Sequence, residues 1–440
     1  MEDNKKELTE VEETLEKTTE ETVETEVEET ETVEEETETV EEEIETQPET
    51  VVDDKKKKRK KKALMILLPI LSLFLVVVLV VGGFLLHKLS LVEIDKNEST
   101  TIDANQEFID DEEETLDFAE MDDATGNDFK EILKNWATNG GDKMSNKNVI
   151  NILLVGSDAS AESPGRADIT EKGNTDAMIL VSIDKANEKI KLVSFMRDSY
   201  TYMDQFDRYA KLNAACANGG PAYLVETIEN NFKIEIDGYV MVDFDSFRQV
   251  IDVLGGVVVD VPQYVANRLN NGKETGDIAY VPAGENVLLT GEQALAFSRV
   301  RYSDADGDVS RVKRQRQVIN SLIDKCLDAS LSQINEVADV ILANVRTNIS
   351  QKSILSYAAQ AVSNGWASFE KDQITMPTPD TRYGYSSRAT AWIWVVDYPL
   401  AAQKLQLELY GETNIVLEEE GRKTAITVIG GYVSKKTSDN

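Results

Sequence analysis

The 440-residue sequence predicts an α/β domain, a central mixed β-sheet flanked by helices, behind a disordered N-terminal tail and one transmembrane helix. Three observations carry this. Residues 63–86 run for twenty-four positions without a charge, directly after the basic octapeptide KKKKRKKK at 55–62. Residues 1–54 hold 25 Asp and Glu against 3 Lys, with no aromatic residue. From residue 148 onward, short apolar runs alternate with stretches of helical periodicity, the pattern of a sheet covered by helices.

Residues 1–54 repeat Glu, Thr and Val and have too little apolar surface to form a core; they read as a solvated tail. Roughly 20 apolar residues cross a bilayer core as a helix, and Pro69, Gly82 and Gly83 are tolerable there. A signal peptide would have a shorter apolar region of about 7–15 residues, so 63–86 reads as an uncleaved anchor. The cations at 55–62 place their flank in the cytoplasm and suit the anionic lipids of that leaflet. The expectation is a single-pass membrane protein with its N-terminus inside and its C-terminal domain outside. The chain carries a net charge of −35, and its exterior is acidic, which excludes the basic face of a nucleic-acid binder.

Residues 87–147 read as an acidic spacer containing one short helix, at 129–138, with Phe129, Ile132, Leu133 and Trp136 on one stripe. A domain is expected over 148–411, and a C-terminal extension over 412–440 whose apolar run, 424–433, reads as an edge strand or a frayed tail. The only histidine is His87, at the membrane edge, so histidine catalysis and His-ligated zinc are unavailable. Cys216 and Cys326 fall in expected helices among apolar neighbours and read as unpaired. Any catalysis must come from carboxylates, Arg, Lys and a hard metal.

Within the domain, a strand at 149–155 is followed by a hairpin of 177–183 and 190–196, helices at 221–232 and 243–254, and a strand at 257–261. Polar residues gather where strands end, as at sites on α/β sheets. Asp158 follows the first strand and Asp176 enters the second. Arg197 and Asp198 close the third, and Lys211 comes after them. The alternation FSRVRY at 297–302 is strand-like and puts Arg299 and Arg301 on one face. Asp304, Asp306 and Asp308 mimic an EF-hand start, but the glycine comes fourth and the twelfth residue is Gln315, so a calcium loop is not expected. Arg311 and Gln315, four apart, share a helix face. There is no Walker loop, dinucleotide fingerprint or nucleophile elbow. Singly these residues have plainer readings, Asp158 as a turn residue and Arg197–Asp198 as a local ion pair. Together they suit a pyrophosphate: guanidinium groups grip phosphate oxygens, and two carboxylates beside an anion are tolerable if Mg²⁺ bridges them.

The stretches NILLVGSD (151–158), TDAMILVSID (175–184), LVSFMRDSY (192–200), KLNAACANGG (211–220), VMVDFDSFRQVIDVLGGVVVDVPQ (240–263), LTGEQALAFSRVRY (289–302) and GDVSRVKRQRQVI (307–319) resemble, in order and spacing, the LytR-CpsA-Psr family. The later WIWVVD segment at 392–397 fits too, as does the layout of one anchor and an outside domain. The resemblance implies an LCP-like fold in a Gram-positive-type envelope. It implies an Mg²⁺-dependent phosphotransferase that moves a glycopolymer (teichoic acid, capsule or similar) from an undecaprenyl-pyrophosphate carrier to peptidoglycan. By motif, Asp158 and Asp176 are similar to the family's metal-associated aspartates; Arg197, Lys211, Arg299, Arg301, Arg311 and Gln315 are similar to its pyrophosphate-gripping residues. The family's arginine two positions before the second aspartate is Asn174 here. Either a phosphate contact is missing or Arg166, in the preceding loop, supplies it. The carrier's prenyl chain needs an apolar tunnel; the strands and helix 244–254 line one, or are simply core. A polyprenyl-pyrophosphate hydrolase and a non-catalytic regulator of envelope genes are the alternative functions.

Overall fold

The computed structural model describes residues 93–94, 123–157, 175–272, 278–300, 308–327, 330, 332–333, 336–337, 339–340, 345–386, 392–417 and 422–438. All lie in the second of the chain's two compact units, 81–440. The acidic tail, the basic octapeptide and the expected span at 63–86 fall outside the described residues. Among the described residues, no helix is long and apolar enough to cross a membrane.

In chain order the elements are β1 (Glu93–Ile94), α1 (Asp123–Asn139), β2 (Val149–Ser157), β3 (Thr175–Asp184), β4 (Lys189–Phe195), β5 (Tyr200–Met203), β6 (Arg208–Lys211) and α2 (Ala214–Phe232). There follow β7 (Gly238–Asp243), α3 (Phe244–Val253), β8 (Val257–Val261), α4 (Gln263–Asn270), β9 (Gly284–Leu289), α5 (Gly291–Arg299) and α6 (Asp308–Leu327). The chain continues through β10 (Val345–Thr347), α7 (Gln351–Ser363), β11 (Glu370–Met376), β12 (Arg382–Tyr385), β13 (Ile393–Val396), α8 (Tyr398–Tyr410) and α9 (Ala425–Ser438).

The expected mixed sheet is present, in the order β1-β10-β7-β2-β3-β4-β11. β2 pairs antiparallel with β3 and parallel with β7; β4 pairs antiparallel with β3 and parallel with β11. Period-two alternation gives each strand two apolar faces. Leu153, Val155, Leu180, Val193 and Phe195 enter the main core with α1, α2 and α8. On the other face, Ile150 and Ile183 pack against Trp366 and Phe369. A sheet covered on both sides reads as near-continuous apolar sequence, which is why these strands were legible.

The expected stripe of the first helix holds: Phe129 and Leu133 are buried and Ile132 and Trp136 pack beside them. Packing crosses both ends of 148–411, since α1 and α9 join the same core. Residues 424–433 are neither an edge strand nor a frayed tail. Residues 425–433 belong to α9, where Ala425 and Ile429, four apart, are buried at 1% and 0% exposure. The β-branched residues of this segment suggested a strand, but the i, i+4 apolar pair decides its structure. α2 starts seven residues before the pattern beginning at Pro221, because Gly220, at φ 73°, breaks the helical geometry and Pro221 restarts it. Cys216 is buried in α2; the side chain of Cys326 lies outside the described residues.

Candidate functional site

Strand register brings several candidate positions to one edge of the sheet. Ser157, at the end of β2, pairs with Thr175 at the start of β3 and with Asp243 at the end of β7. The register shifts between Gly156 and Ser157, a bulge of the kind that re-aims side chains beside sites. β4 runs antiparallel to β3, so Arg197, just beyond β4, leaves from the same edge.

Backbone bonds fix the turn that follows β4. Met196 N–H donates to Met376 O at 2.8 Å, Leu212 N–H to Ser199 O at 2.9 Å, and Trp394 N–H to Asp198 O at 2.8 Å. Within this frame Lys211 Nζ lies 3.1 Å from Asp198 Oδ1 and Arg197 Nε 3.7 Å from it. The three side chains are 5%, 9% and 13% exposed for Lys211, Asp198 and Arg197. Both cations are sheltered from water, where an ionic interaction is far stronger than in bulk solvent.

α6 supplies more cationic groups. Arg311, Arg314, Gln315 and Arg316 are all buried, Arg311 to 2% exposure. Arg311 and Gln315 share a face as their spacing predicts. Arg316 serves a different purpose: it donates to Thr375 Oγ1 at 2.7 Å, Ile374 O at 3.0 Å and Ser194 Oγ at 3.3 Å. It pins α6 to β4 and β11, and burial lowers its pKa. Arg314 donates to Val300 O, tying α6 to the end of α5.

Arg299 requires a correction. Residues 297–299 are the last turn of α5, not a strand, so alternation does not place Arg299. The helix starts at Thr290 with a reciprocal capping box, Gln293 N–H to Thr290 Oγ1 and Thr290 N–H to Gln293 Oε1. That signal, T-x-x-Q before an apolar run, is visible in the sequence and outranks the short FSRVRY alternation. Arg299 is exposed at the helix end, its guanidinium 4.8 Å from the centre of the Phe244 ring, a cation–π contact.

Between the sheet and α3, α5 and α6 runs a narrow cleft of about 80 Å³. Gly156, Ala177, Ile179, Phe247, Leu295 and Ile319 make its apolar wall; Arg299, Gln315 and Asp243 bring polar groups to it. A Cβ on Gly156 would stand 3.2 Å from the Ala177 Cβ, so glycine keeps the cleft open there. Asp243, not singled out in the sequence, caps α3 by accepting from Ser246 N–H at 2.7 Å. The structure thus groups Arg197 with Lys211, groups Arg299 with Gln315, and sets Arg311 on the helix face shared with Gln315. Asp158, Arg166 and Arg301 lie outside the described residues, as does the side chain of Asp176. Among the described residues no group of three or more His, Cys, Asp or Glu could hold a metal.

The chain is similar to known proteins in sequence and in fold. The chain is 37% identical over 217 residues to the polyisoprenyl-teichoic acid–peptidoglycan teichoic acid transferase TagV of Bacillus subtilis, covering 49% of this chain and 54% of that one. It is 36% identical to the transferase TagU of Bacillus cereus, covering 49% of this chain and 65% of the relative. The match therefore spans only about half to two-thirds of these curated relatives. Protein gbs0355 of Streptococcus agalactiae has a similar crystal structure, with a TM-score of 0.51 and 25% identity over 63% of this chain and 92% of that one. The sequence profile of the LytR_cpsA_psr family matches residues 111–404. The chain belongs to that family.

Proposed function

We propose that this protein is a membrane-anchored phosphotransferase that moves a glycopolymer from an undecaprenyl-pyrophosphate carrier to peptidoglycan. One observation carries this reading: sheltered cationic groups, Arg197, Lys211 and Arg311, adjoin the elements that form a narrow apolar cleft edged by Arg299 and Gln315. That combination suits an anionic head on an apolar chain. The names of the relatives TagV and TagU, as teichoic acid transferases, support the same donor class.

The chemistry is a displacement at phosphorus. A sugar hydroxyl of the acceptor attacks the phosphorus that bears the glycopolymer, the P–O bond of the pyrophosphate breaks, and prenyl monophosphate leaves. A phosphodiester forms and the hydroxyl proton is released. Arg197, Lys211, Arg299, Arg301 and Arg311 orient the phosphates and stabilise the charge developing on the leaving group, which is where most of the rate gain in such transfers arises. Asp158 and Asp176 are oxygen donors of the kind Mg²⁺ prefers. The residues just before them, Ser157 and Thr175, are paired across β2 and β3. When bound there, Mg²⁺ would neutralise phosphate charge. The span 63–86 anchors the enzyme, with residues 55–62 against anionic lipids on the cytoplasmic side.

The test is to incubate the full-length chain with lipid-linked glycopolymer and peptidoglycan. The expected product is polymer joined to the wall by a phosphodiester. Release of the polymer phosphate into solution, with none on the wall, would establish a hydrolase instead.

A further inference from the structure

A second cleft, of about 460 Å³, opens on the other flank of α6 against the two-stranded β8–β9 sheet. It falls within the range of roughly 300–1,000 Å³ usual for ligand sites. Its polar residues include Asp260, Asn286, Gln317, Asn320, Ser321 and Asp324. Along α6, Gln317, Asn320, Ser321 and Asp324 recur at helical spacing on one side, while Arg311, Gln315 and Ile319 occupy the opposite side. The two clefts thus share α6 as their wall, separated by about one helix diameter, roughly 10 Å.

The cleft is built, not a gap between loops. Ser321 Oγ accepts from Val258 N–H at 2.7 Å and fixes β8 to the helix. Asp260 Oδ1 accepts from Asn286 N–H at 2.9 Å, across a register shift between Val259 and Val261. Asn286 stands at φ 53°, a left-handed conformation that asparagine tolerates. Asn320 lines the cleft and stays partly exposed.

Carboxamides, carboxylates and a hydroxyl along one face match the hydroxyl and acetamido groups of a sugar. Asp260 and Asp324 outnumber Lys325 on the lining, which disfavours a phosphate-rich polymer. We infer that this cleft binds an uncharged glycan strand, the acceptor of the proposed transfer; the inference rests on that reading for its role. The full-length chain in detergent is titrated with a β-1,4-linked N-acetylglucosamine tetramer and, separately, with a glycerol phosphate oligomer. The tetramer should bind, and Gln317→Ala and Asn320→Leu should each weaken it about ten-fold, the value of one lost polar contact. Gln317 is exposed, so its replacement reports on binding even where Asn320→Leu unfolds the domain. Absence of tetramer binding, equal binding by folded variants, or glycerol phosphate binding that the same replacements remove would each overturn the assignment. No donor lipid enters this measurement, so its failure and the failure of the transfer reading are separable.

Discussion

Asp198 shows how one residue serves stability and function in opposite senses. Its carboxylate balances Lys211 and part of Arg197 in a sheltered turn, and removing one member of such a group leaves charge uncompensated. Asp198→Asn should therefore lower stability on the order of 3 kcal/mol while increasing the stabilisation that added pyrophosphate gives. Urea unfolding with and without pyrophosphate reads both; a loss below half a kilocalorie would mean that water already screens the cations. Arg299 is the cleaner probe of chemistry, because it is exposed and its replacement spares the core. Arg299→Ala should cost transfer on the order of 3 kcal/mol of transition-state stabilisation, with an unchanged unfolding midpoint; near-normal ligation would remove it from the site. Lys233, far from this chemistry in role, gives a pH signature. It is buried, its Nζ donates to Ala137 O at 3.2 Å, and burial holds its pKa at about 8, below the 10.5 of the free side chain. Between those values the unfolded chain binds more proton at this position than the folded one, so stability rises with pH across that window. The wild type should gain stability over Lys233→Met between about pH 8 and 10; parallel profiles would show that Lys233 is hydrated.

At the scale of elements, α5 governs where Arg299 stands, and two local devices govern α5. The first is its capping box, so Thr290→Ala should cost about 1 kcal/mol. The second is Gly291, whose missing side chain lets α5 approach α3: a Cβ there would lie 2.1 Å from Arg248 O. Backbone cannot yield as a side-chain tip does, so Gly291→Ala should cost more, about 2–3 kcal/mol, and should also lower transfer by displacing Arg299. Thermal unfolding and ligation rates measured together would expose the reverse order if the helix simply slides. The same element marks the limit of sequence reading. Strands β2, β3 and β4 were legible because both faces of the main sheet are apolar and their ends carry polar residues. The ends of α5 and α9 were not, since short β-branched or alternating runs look like strands until their tertiary partners are known. Arg316 was missed for a related reason: its role is a bond to distant backbone, Ile374 O. No spacing rule announces such partners. Arg311 and Gln315 were found because four-residue spacing on a helix is itself geometry.

For the whole molecule, charge and hydropathy make a claim about orientation. Eight cations precede the apolar stretch 63–86, and 25 acidic residues against 3 lysines precede those. Lysine and arginine beside a span hold that side in the cytoplasm, while acidic residues contribute little to the choice, so the proposed topology keeps the tail inside despite its length. In the proposed topology the family domain, matched at residues 111–404, would lie outside with both clefts, where an envelope polymer can reach them. Protease added to intact cells should digest the chain after about residue 90, near the outer end of a span of roughly 20 residues, and leave a membrane-bound fragment carrying the Glu/Thr tail. An antibody to the tail should detect that fragment, while one to the C-terminus should detect nothing. Trimming of the tail with the domain intact would reverse the orientation. It would also place Arg197, Arg299 and Arg311 where peptidoglycan is absent, and the proposed acceptor would have to be abandoned with it.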